Sequence, residues 1–153
     1  MSASSVLLLP HAPSSVSVAR RRLGADLRAH GVPETTVGDA ILVLSELVSN
    51  AIRHAHPLPD GQVLVSWSLQ GGTVEIAISD GGSPTRPHQV RRSMSALGGR
   101  GLAIVQHLSS GWGVRSDEQE TTVWAVLPTT ANGSLQRRPR RSPARAQARP
   151  PAG

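Results

Sequence analysis

Ala40-Ile41-Leu42-Val43-Leu44-Ser45-Glu46-Leu47-Val48-Ser49-Asn50-Ala51-Ile52-Arg53-His54-Ala55 is the stretch on which the reading of this chain turns. Ile41, Leu44, Val48, Ala51 and Ala55 recur at the spacing of one helix face. Glu46 and Asn50 stand four residues apart on the opposite side, where side chains one turn apart are neighbours. A helix that packs by one face and keeps an acid and an amide together on the other is a candidate for holding a metal-bound ligand. The same spacing also describes an ordinary solvated face, and two glycine motifs further along bear on the choice.

On the N-terminal side, Ser4–Leu9 reads as a short strand ended by Pro10. Ser14 or Ser15 is placed to cap a helix that runs to about His30, with Gly31 just past its end. Val16, Ala19, Leu23 and Leu27 form its apolar stripe. Pro33-Glu34-Thr35-Thr36 opens the helix that contains the quoted stretch, and Pro57, Pro59, Asp60 and Gly61 make the turn after it. On the C-terminal side, Gln62–Leu69 alternates with Val63, Val65, Trp67 and Leu69 on one face, the pattern of a half-buried strand. Gly71-Gly72 is a hairpin turn, and Thr73–Ser79 alternates again through Val74, Ile76 and Ile78. Residues 81–99 form a loop rich in Gly, Ser, Pro and Arg, long enough to suggest a functional lid. Gly101–Leu108 reads as a short helix, and Val114 and Glu120–Leu127 supply two final strands before Pro128. The expected order is β-α-α-β-β-loop-α-β-β. That order predicts an α+β fold: a two-layer sandwich in which helices pack on one face of a mainly antiparallel sheet. Trp67, Trp112 and Trp124 could each be core or apolar surface.

Composition narrows the chemistry. The 153 residues suffice for one domain with a core. There is no Cys, hence no disulfide framework, thiol nucleophile or Cys-based zinc site. There is no Lys either, which removes the P-loop, the strand Lys of eukaryotic-type protein kinases and any Schiff base. The longest apolar run near the start, Val6-Leu7-Leu8-Leu9, is too short for a signal core or a membrane span, so a cytoplasmic protein without membrane contact is expected. The net charge of +6 lies in the tail: residues 129–153 hold Arg137, Arg138, Arg140, Arg141, Arg145 and Arg149 and no acid. Residues 1–128, the expected domain, are balanced. The Pro/Arg/Ala tail cannot bury a core and is expected to be disordered.

Asp80 ends an apolar strand and is followed by Gly81 and Gly82. A carboxylate there can accept a hydrogen bond from an exocyclic amine such as that of adenine, while glycines allow a ring or phosphate close to the backbone. The alternative is a simple strand-ending turn. Gly98-Gly99-Arg100-Gly101-Leu102 leads into a helix N-terminus, whose free N–H groups suit anions, with Arg100 able to add a guanidinium. The alternative is a hinge with an exposed Arg. His54-x-His56 invites a metal-pair reading, set against two polar residues at a helix end; His11, His30, His88 and His107 are scattered and need no special role.

Taken together, Glu46-x-x-x-Asn50, Asp80-x-Gly82 and Gly99-x-Gly101, with these elements between them, resemble the GHKL superfamily, the ATP-binding fold shared by gyrase and histidine kinases. The chain is most similar to its small anti-sigma-factor, serine/threonine-protein kinase group. The stretches that carry the likeness are Ser45 to His54, Asp80-Gly81-Gly82-Ser83-Pro84, Gly99 to Val105, Trp112-Gly113-Val114 and Thr122-Val123-Trp124. The likeness covers about residues 6–128 and leaves the tail unexplained. It implies ATP and Mg2+ as cofactors, with Asn50 as the magnesium ligand, a role suited to a hard cation that keeps water and phosphate oxygens. It further implies Asp80 on the adenine amine, Gly82 beside the base, and Gly99, Arg100 and Gly101 around the phosphates under a lid of residues 83–98. Thr121 or Thr122 would complete the adenine pocket. Glu46 would be the general base, accepting the proton of the attacking hydroxyl. A histidine kinase is disfavoured, because no two-helix element bearing a phosphoacceptor His fits before residue 40.

The implied partners are a sigma factor, an antagonist protein phosphorylated on Ser or Thr, or both, with a homodimer as the related assembly. The alternative is a non-catalytic switch in which ATP selects the partner. A third reading gives the work to the Arg tail as a nucleic-acid binder through counterion release, although no aromatic is interleaved for stacking.

Overall fold

The computed structural model describes residues 3–82 and 99–129, with side chains in the helix beginning at Gly99 described from Ala103 onward. The elements are β1 (Ala3–Pro10), α1 (Ser14–Ala29), α2 (Glu34–His54), a 3-10 turn (Pro59–Gly61), β2 (Gln62–Gln70), β3 (Thr73–Asp80), α3 (Gly99–Leu108), β4 (Gly111–Ser116) and β5 (Thr121–Pro128). The five strands form one sheet in the order β1-β2-β3-β5-β4, antiparallel throughout. The final hairpin enters with β5 against β3, which leaves β4 and β1 as the two edges. The α+β expectation and the order of elements hold, with strand ends shifted by a residue or two. The expected loop falls on residues 83–98, outside the described residues, as does the tail beyond residue 129.

Alternation places one row of each strand against the helices. Val63, Val65, Trp67 and Leu69 of β2, Val74, Ile76 and Ile78 of β3, and Val123, Ala125 and Leu127 of β5 are all buried. α2 lies across β2, β3 and β5, flanked by α1 on one side and α3 on the other. Its Val37, Ala40, Leu44 and Val48 are fully buried, with Ala19, Leu23 and Leu27 of α1 beside them. Each fully buried Leu, Ile or Val contributes about 1.5–3 kcal/mol, so this single core holds both layers together. By length and composition α2 could cross a bilayer, but half of its most apolar window is buried within the domain.

Local chemistry sets the ends. The β2–β3 hairpin turns on Gly71 at φ +59° and Gly72 at φ +83°, values that a two-residue loop demands and a side chain resists. α1 ends with Gly31 at φ +77°; Gly31 N–H donates to Arg28 O and Val32 N–H to Leu27 O, which supplies the last carbonyls. Neither Ser14 nor Ser15 caps α1. Pro13 occupies the N-cap, and Ser15 is buried with its hydroxyl donating to the Pro10 carbonyl. Trp67 and Trp112 belong to the core, whereas Trp124 is half-buried on the opposite sheet face, lying across Gly113, its register partner. A Cβ at Gly113 would stand 2.7 Å from the Trp124 ring, which is why β4 has no side chain there.

Candidate functional site

The C-terminal half of α2 differs from the single stripe that the sequence suggests. Ile41 is only half-buried, while Val43 and Leu47 are buried along with Leu44 and Val48. Asn50 is 7% exposed, so it does not sit on a solvated face. The reason is tertiary: α2 packs against the sheet and also against α1 and α3, so its buried arc is wider than one stripe. The Asn50 Nδ2 is buried without a hydrogen-bond partner among the described residues, a rare situation among native side chains. Glu46, one turn earlier, is half-buried.

Asp80 ends β3 at 5% exposure. Its Oδ1 accepts the Gly82 N–H at 2.8 Å. Burial pushes the carboxyl up to about 6, against the Gly82 N–H, which favours the ionised form. His11 and His56 also favour ionisation, and Glu120 opposes it. The glycines have distinct reasons. Gly82 adopts φ +84°, and a Cβ there would come within 3.3 Å of Thr121 Oγ1. A Cβ on Gly81 would run into the Pro57 carbonyl. The two chain exits are stitched together: Gly81 N–H donates to His56 O at 2.8 Å and His56 N–H to Gly82 O at 2.9 Å. The segment after α2 and the segment after Asp80 therefore form one wall.

The two candidate threonines lie on opposite faces. Thr121 is the register partner of Asp80 and shares its side of the sheet. Thr122 partners Ser79 on the other side, their hydroxyls 2.7 Å apart. Thr121 is itself held by Ser116, hydroxyl to hydroxyl at 2.9 Å. Asp80, Gly82 and Thr121 thus lie together on the helix-covered side of the sheet, with Thr122 on the other side. α3 starts two residues earlier than expected, so Gly99, Arg100 and Gly101 make its first turn; the side chain of Arg100 is outside the described residues. Among the described residues no group of three His, Cys, Asp or Glu is arranged for a metal, and His54 and His56 do not form one. An Asn amide completed by phosphate and water oxygens suits Mg2+, which rarely takes an all-protein cage. Sequence reading missed His11: its ring bonds the Ala51 carbonyl, and no local signal could reveal a partner 40 residues away.

Residues 9–127 match the histidine kinase-like ATPase domain family. The serine-protein kinase RsbW of Listeria monocytogenes serotype 4a is 27% identical over 129 residues, which cover 76% of this chain and 82% of that protein. Its counterpart from serotype 4b matches to the same extent. Among solved structures, the RsbU and RsbW domains of Rv1364c from Mycobacterium tuberculosis superpose with a TM-score of 0.66 at 21% identity, over 91% of this chain and 34% of that longer one. This last likeness concerns the fold. The resemblance to small GHKL kinases of the anti-sigma type is borne out, as is the reading of the chain as a protein-kinase-type enzyme, since these relatives are serine-protein kinases. The chain belongs to the histidine kinase-like ATPase domain family.

Proposed function

We propose that this chain is an anti-sigma regulatory protein whose ATP-loaded domain phosphorylates an antagonist protein on Ser or Thr. The observation that carries the reading is the Asn50 amide, buried and without a partner for its Nδ2. A buried polar group left unpaired is costly, and a ligand that pairs with it accounts for its retention. Amide nitrogen and oxygen exchange places on a flip, so the same group can turn an oxygen to a hard cation. When bound, Mg2+ held by Asn50 and phosphate oxygens would neutralise charge on the transferred phosphoryl group. Asp80, once ionised, accepts the adenine amine with Thr121 beside it. The first turn of α3, at Gly99 to Gly101, offers backbone N–H groups to the phosphates. Glu46 accepts the proton of the attacking hydroxyl from its place one turn before Asn50. The RsbW relatives support Ser as the acceptor; a sigma factor and an antagonist as partners, a homodimer and a cytoplasmic setting belong to the same proposal.

Calorimetry of ATP with Mg2+ on the full chain tests the site. Micromolar binding, about 7–8 kcal/mol, is expected for the wild type; it is lost in Asp80→Asn and falls to its magnesium-free value in Asn50→Ala. Glu46→Ala retains ATP and loses phosphoryl transfer to the antagonist. A wild type that binds ATP but transfers nothing to any candidate antagonist replaces the kinase reading with the ATP-dependent switch.

A further inference from the structure

His11 stands at the junction of β1 and α1, and three segments meet on it. Its backbone N–H donates to the Gly61 carbonyl at 2.9 Å, which pins it to the 3-10 turn. Its Nε2 lies 3.0 Å from the Ala51 carbonyl oxygen. A carbonyl only accepts, so Nε2 carries the hydrogen. Ala51 follows Asn50 in α2, and its carbonyl also receives the Ala55 N–H at 3.2 Å, the long final bond of that helix. Helix ends leave carbonyls short of partners, and a donor side chain placed there holds the last turn. Here the donor comes from outside the helix, 40 residues away in sequence. The same imidazole lies close enough to Asp80 for its charge to favour the carboxylate, as does His56 after α2, while Glu120 from the β4–β5 turn opposes them.

We propose that His11 is a positioning residue of the nucleotide site: its ring caps the last turn of α2 from across the fold and so holds the Asn50 amide where a metal–nucleotide meets it. The inference rests on the ATP-site reading above and goes beyond it, because none of the three motifs includes His11. Without the ring, the turn that carries Asn50 ends on a single long backbone bond, and the amide loses its fixed depth. The effect belongs to the metal-dependent part of binding, since Asp80 and Thr121 lie on other elements.

The test uses the full chain and calorimetry of ATP with Mg2+ and with EDTA at pH 8, well above the Asp80 value of about 6, so that the carboxylate is ionised with or without the ring. His11→Gln places an amide N–H near the Nε2 position; His11→Asn is as polar but too short to reach Ala51. The gain in ATP affinity that Mg2+ confers is expected to survive in His11→Gln and to fall about tenfold in His11→Asn, with EDTA values unchanged in both. In the His11→Asn/Asn50→Ala double variant, the loss is expected to match Asn50→Ala alone, the non-additivity of residues that act as a unit. Melting temperatures register folding separately. A His11→Asn chain that keeps the full Mg2+ gain, loses affinity equally with EDTA, or adds its loss to that of Asn50→Ala overturns the inference while the ATP site stands. A wild type that binds no ATP under either condition overturns the ATP-site reading, and the inference falls with it.

Discussion

Burial raises the Asp80 carboxyl from 3.8 to about 6, and this single shift has two readouts of opposite sense. The folded chain holds the extra proton, so stability is lost as pH rises from about 4 to about 6 and is not regained above. A shift of this size is on the order of 2–3 kcal/mol. Asp80→Asn keeps an acceptor for the Gly82 N–H without the buried charge, so it should stabilise the nucleotide-free fold by about 1–2 kcal/mol at pH 7.5. Thermal melts at pH 7.5 and pH 4.5 check this: the gain should shrink at the lower pH, and equal melting temperatures at both would count against it. ATP affinity moves the other way. The adenine amine needs the ionised carboxylate, so binding should weaken by about tenfold per pH unit below 6, a slope that calorimetry between pH 5 and pH 8 would register. The place of Asp80 was legible because a carboxylate at a strand end before two glycines is a local pattern. The side of the sheet that Thr121 and Thr122 each take was not, because it depends on register with β3, far earlier in the chain.

Among the elements, α1 is fastened by one side chain more than by its exposed ion pair. Asp26 accepts the Trp67 indole N–H at 2.7 Å and the Ser5 hydroxyl at 3.3 Å, joining α1 to β2 and β1. Asp26→Ala strands a buried indole donor and should cost about 1–3 kcal/mol in urea denaturation, with a change in tryptophan fluorescence; Asp26→Asn should recover most of it. The Arg28–Glu34 pair, 2.7 Å apart but open to solvent, should leave the midpoint unchanged when Arg28 becomes Ala. At the other end of the sheet, Gly81→Ala sets a methyl group against the Pro57 carbonyl and should separate the stitched exits of α2 and β3, seen as lost ATP binding together with a lowered melting temperature. Strands, helices and hairpin followed from period and turn residues. The burial of Asn50 did not, because a helix wheel shows one stripe and cannot show that α2 will be packed on more than one side. The N-cap of α1 escaped for a similar reason: Ser15 faces the Pro10 carbonyl rather than the helix N–H groups.

For the whole molecule, Thr129 is still tied to the sheet: its N–H donates to the Gly72 carbonyl at 2.8 Å. Removing residues 130–153 should therefore leave the melting temperature and ATP affinity as they are, and abolish any salt-sensitive association that the six arginines provide. Gel filtration and calorimetry of the shortened chain would show whether the domain is self-sufficient. The concentration of arginine after residue 128 and the balance of charge before it are plain from composition alone. What one sequence withholds is partner identity, because exposed surfaces carry no periodic signal. The unpaired Asn50 amide and the ionisation cost of Asp80 have one more consequence. An empty domain keeps an unpaired buried amide and a costly buried carboxylate, so if nucleotide pairs with both, its resistance to opening should rise with the nucleotide around it. On the proposed function, abundance in a cell would follow energy supply: with less ATP, proteases should meet the opened chain more often, and its lifetime should shorten.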